Sequence, residues 1–71
     1  MTKLLSHLRR ARNRLSHNTE DLDHALALAE LQRLPPGQIH VIRRALASNK
    51  RLFTAICGLH ARLNHTHNQQ P

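Results

Sequence analysis

The chain has no Trp, no Tyr and a single Phe, Phe53, so it offers no row of aromatic platforms on which single-stranded bases would stack. Its one cysteine, Cys57, cannot close an internal disulfide, and no apolar h-region leads to a secretory cleavage site. A reducing, cytoplasmic setting is therefore expected. No apolar run approaches the ~20 residues that a membrane-crossing helix requires. Acids are scarce: Glu20, Asp21, Asp23 and Glu30 stand against eleven Lys and Arg, leaving a formal charge of +7. These four carboxylates sit in one stretch, and Cys57 has no activating neighbour beyond His60. Seventy-one residues also leave little room for a cleft, so no enzymatic role is expected.

What is present is leucine and arginine. Apolar residues make up 39% of the chain, and their spacing is helical throughout, with no stretch alternating as a strand does. The fold class is all-α. Leu4, Leu8, Ala11 and Leu15 fall on one face at steps of four, three and four. Ser16-His17-Asn18-Thr19 then offers four side chains that compete for backbone hydrogen bonds, which predicts a break. The acids at 20, 21 and 23 suit the first turn of a second helix. The alternative is one unbroken helix, because the heptad phase runs on through Asn18, Leu22, Ala25 and Ala29.

Pro35-Pro36-Gly37 forces a turn. Ile39, Ile42, Ala45 and Leu46 predict a short third helix, with Ser48-Asn49 as a stop and a cap. Leu52, Ile56, Leu59 and Leu63 define a fourth. Gly58 inside it costs up to ~1 kcal/mol against Ala, which suggests close helix–helix approach. The expected architecture is a small bundle of three to four helices, a helical hairpin plus a helix-turn-helix-like pair. Residues 1–63 would form a single helical domain and residues 64–71 a disordered polar tail.

So small a core seldom suffices alone. A homodimer or a bound partner is therefore expected, with Leu4, Leu8, Leu15, Leu22, Leu52, Ile56, Leu59 and Leu63 as interface candidates.

The charge is unevenly laid out. Residues 1–18 hold five bases and no acid, residues 19–34 hold four acids and Arg33, and residues 35–71 hold five bases and no acid. Solvated surface charge and helix-dipole complementarity account for part of this. The remainder forms a surface that attracts phosphates or an acidic protein face. The candidate binding residues are Arg9, Arg10, Arg12, Arg14, His40, Arg43, Arg44, Lys50 and Arg51. In a helix-turn-helix arrangement the residues after Asn49 would face base edges, and Arg43 and Arg44 would meet phosphates. A small regulator binding DNA or RNA is the functional expectation. The alternative is an adaptor or inhibitor that docks a leucine face and a basic patch on a larger protein.

Seven histidines also raise the question of metal. No cofactor is expected, but Cys57, His60, His65 and His67 carry the ligand types of a zinc site, without the paired-cysteine spacing that usually accompanies one.

Overall fold

The computed structural model describes residues 2–69, with side chains through Thr66. Helix α1 spans Thr2–Leu31 and helix α2 spans Pro36–Gln69. They fold back on each other as a single antiparallel hairpin, 57 Å long and 14 × 13 Å across between Cα atoms. The chain is all-α, as its periodicity dictates, but two long helices replace the three to four expected.

The turn is built from backbone hydrogen bonds. The amide of Leu34 donates to the Ala29 carbonyl at 3.0 Å, and that of Arg33 to Glu30 at 3.1 Å. This is a Schellman motif, in which the residue after the cap adopts the left-handed conformation. Arg33 holds that position, at φ 57°. Pro35 then accepts from the amides of Gln38 and Ile39, and Pro36 occupies the first helical position, where its missing N–H costs nothing.

Inward-facing side chains on α1 are Leu5, Leu8, Arg12, Leu15, Thr19, Leu22, Leu26 and Ala29. On α2 they are Ile39, Ile42, Leu46, Asn49, Phe53, Ile56, His60 and Leu63. Both series alternate steps of three and four, the signature of a coiled-coil seam. The leucine stripe read from sequence was displaced by one flank, because Leu4, Ala11 and Ala25 lie beside the seam rather than in it. Burial is shallow, and among the described residues only Ala29 and Leu46 count as core.

Both expected breaks are absent for one shared reason. Thr19 Oγ1 donates to the Leu15 carbonyl at 2.8 Å, and Asn49 Nδ2 donates to that carbonyl and to Thr19 Oγ1, each at 2.7 Å. Thr19 and Asn49, one in each predicted break, are absorbed into a polar link between the helices. Ser48 and Lys50 lie mid-helix, so no turn separates a recognition helix and the helix-turn-helix-like pair does not form. Gly58 is exposed, and an added Cβ would meet nothing within 4 Å, so no close helix approach explains it. Helix α2 also continues through much of the stretch expected as a tail, where Thr66 Oγ1 donates to the Arg62 carbonyl at 3.0 Å. Gln70 and Pro71 lie outside the described residues.

Candidate functional site: a basic pole at the open end of the hairpin

The Thr19–Asn49 link falls near mid-length and separates two unlike halves. Toward the termini, residues 2–18 and 50–69 carry Lys3, Arg9, Arg10, Arg12, Arg14, Lys50, Arg51 and Arg62 and no acid, a net of +8. Toward the turn, residues 19–49 carry all four acids against Arg33, Arg43 and Arg44, a net of −1. The hairpin is therefore a charge dipole whose excess sits at its open end. Antiparallel pairing creates this pole by bringing the bases of α2's second half alongside those of α1's first.

Most of these cations reach water: Lys3, Arg9, Arg10, Arg14, Lys50, Arg51 and Arg62 are exposed. Arg51 Nη2 donates to Ser48 Oγ at 3.3 Å. Arg12 is half-buried at a seam position level with Ile56, a place where a long methylene stem can cover apolar surface. A shallow cleft of about 360 Å³ opens between the helices here, lined by Thr2, Leu5, Ser6, Arg9, His60 and Asn64. Its hydroxyls, guanidinium, amide and imidazole make it rich in hydrogen-bond donors.

Of the residues singled out from sequence, Arg9, Arg10, Arg12 and Arg14 lie on the terminal half of the hairpin, and Lys50 and Arg51 lie at its edge, beside the Thr19–Asn49 link. His40, Arg43 and Arg44 lie instead near the turn. Arg43 donates to Glu30 at 3.0 Å, the one ion pair among the described residues, with the side chains 60% and 49% exposed. Lys3, Arg62 and, in the cleft, Thr2, Leu5, Ser6 and Asn64 were missed as site residues. Nothing local joins them, and only the pairing of the chain's two ends does. Arg12 and Arg14 lie about two turns before Glu20 and Asp21 on the same continuous helix, and no ion pair joins them among the described residues.

The proposed interface leucines divide in the same way. Leu8, Leu15, Leu22, Ile56 and Leu63 are used within the chain's own seam, whereas Leu4, Leu52 and Leu59 remain exposed. Cys57, His60 and His65 of the zinc set do not gather: no group of three or more potential ligands forms among the described residues. Cys57 flanks the seam, His60 lies within it and His65 is exposed on the continuing helix, which holds them apart. The His67 side chain lies outside the described residues. Also among the described residues, no helix is long and apolar enough to cross a membrane. Comparison with known family models, curated proteins and solved structures gives no match.

Proposed function

We propose that this chain is a small non-enzymatic regulator that binds nucleic acid through the basic open end of its hairpin. The observation that carries the reading is the separation of charge, +8 with no acid on one side of the Thr19–Asn49 link and −1 on the other. Double-stranded nucleic acid presents a negative charge about every 1.7 Å along its axis and releases counterions when bases neutralise it. A pole without a single carboxylate suits that partner.

The contacts this supports are to phosphates. A two-helix rod with no isolated recognition helix is poorly shaped for the ~12 Å major groove, so affinity without strong sequence preference is the reading. A cytoplasmic setting belongs to the same proposal. A second reading, docking on a larger protein, is favoured by the apolar side chains left exposed at Leu4, Leu28, Val41, Leu52 and Leu59.

The test is anisotropy of labelled mixed-sequence duplex DNA and of structured RNA, titrated at salt from about 50 to 300 mM. Binding should weaken steeply with salt. Replacing Arg9 and Arg10 together by Ala should lower the slope of log affinity against log salt by about 2, at ~0.9 per lost phosphate contact. Replacing Arg43 and Arg44 together should change it much less. Affinity that ignores salt, or equal effects of the two pairs, overturns the assignment to the open end.

A further inference from the structure

The hairpin has two unlike sides. Along one, the residues flanking the seam are polar apart from Cys57: Arg9, Ser16, Asp23 and Glu30 on α1 meet Arg43, Lys50, Cys57 and Asn64 on α2. The Glu30–Arg43 bridge shows that these flanks share a side. Along the other, Leu4, Ala11 and Ala25 of α1 lie with Ala45, Leu52 and Leu59 of α2, a flank that is polar at Asn18 near its middle and at Gln38 and Thr66 toward its ends. Leu28 and Val41 extend that second side. Of the six large apolar residues left exposed, all but Leu31 belong to it, with Val41 at 66% and Leu52 at 55%.

A strict two-stranded coil needs only the seam positions to be apolar, whereas an additional apolar flank is the pattern of helices in larger bundles. The surface area agrees. The chain exposes 5633 Å², where a compact chain of its mass exposes about 4,500 Å². That excess of roughly 1,100 Å² is more than the ~800 Å² that one partner contributes to a standard interface.

We propose that this side is covered by a second copy of the chain, stacked with its turn at the opposite end, to form a four-helix bundle. The spacing is self-complementary. A two-fold axis beside Leu52 sets Leu52 over its own symmetry mate and Ala45 over Leu59 of the second copy. At the same height on α1 the axis passes near Ser16, which sets Leu4 over Leu28. Those two points are the midpoints of Pro36–Gln69 and Thr2–Leu31, so the copies overlap along their full length.

Charge selects this orientation over the one with both turns together. Stacked head to tail, each half of net −1 lies on a half of net +8, and Asp21 comes within about one helical turn (~5.4 Å) of Arg14 of the second copy. Stacked the other way, two poles of +8 would adjoin. The polar side, with the Arg9 cleft, remains open to solvent, so this assembly stands apart from the nucleic-acid reading.

Light scattering without nucleic acid, across a concentration series, should give twice the 8.1 kDa chain mass. Leu52→Glu, which sets two carboxylates against each other on the axis, should weaken association by roughly a hundredfold or more. Because that variant can lose its fold with its partner, cysteine cross-linking is the second measurement. In a Cys57→Ala background, Leu52→Cys should form a disulfide-linked dimer under mild oxidation, and Leu31→Cys near the turn should not. A helical chain that stays at 8.1 kDa at every concentration overturns the proposal and leaves the face to a different protein. Linkage through Leu31→Cys instead of Leu52→Cys overturns the head-to-tail arrangement.

Discussion

Arg33 occupies the one backbone position of this hairpin that a side chain makes costly. At φ 57° its Cβ crowds the carbonyl, an arrangement worth roughly 1–2 kcal/mol against an L-residue. Glycine avoids that clash but gives up more chain entropy on folding. Arg33→Gly is therefore expected to stabilise the chain by about 0.5–1 kcal/mol in a urea titration. Glu30 and Arg43 illustrate the opposite case, because their pair is too exposed to matter much. Glu30→Gln should shift stability by less than ~1 kcal/mol.

Asn49 is the polar residue with most at stake. Its amide donates to two partly buried oxygens, the Leu15 carbonyl and Thr19 Oγ1, and so ties the two helices together. Asn49→Asp keeps the size but turns an acceptor toward the Leu15 carbonyl. It should cost roughly 1–3 kcal/mol at neutral pH. Protonating the introduced carboxyl restores a donor, so the penalty should shrink as pH falls through its titration and return as pH rises. Thermal melts of both chains across that range check the sign.

At the scale of the elements, helical character and the position of the turn were legible in the sequence. Pro35-Pro36-Gly37 could not continue α1, and no segment alternated with a period of two. Continuity was not legible. Ser, Thr and Asn near a helix middle read as caps because their side chains compete for nearby backbone groups. Here Thr19 donates back to Leu15 within its own helix, and Asn49 donates to both across 30 or more residues of sequence, which no local window contains.

The seam was misassigned for a related reason. When a flank is apolar along with the seam, Leu4-Leu8-Ala11-Leu15 and Leu5-Leu8-Arg12-Leu15 are both acceptable stripes, and only the pairing decides between them. Gly58 was overinterpreted, since nothing packs on it. Gly58→Ala should therefore raise stability by about 0.5–1 kcal/mol, the intrinsic helix-propensity difference, as read by the thermal midpoint of the helical circular dichroism signal.

At the scale of the whole molecule, the candidate site was half visible. The surplus of base and its presence in two segments could be read directly, but its collection at one end required the fold. Antiparallel pairing joined Arg62 and Lys50 to the arginines of α1 and left Arg43 and Arg44 among the acids.

The same division governs how firmly the two ends are held. Ala29 and Leu46, the core residues, both lie on the turn side of the Thr19–Asn49 link, whereas Arg12 and His60 interrupt the seam on the other. Amide hydrogen exchange should therefore be slowest beside the turn and quicken toward the termini as the two helices of the hairpin separate from that end. An anion bridging the two helices there would close the zipper, and protection gained selectively by the terminal amides would record its arrival.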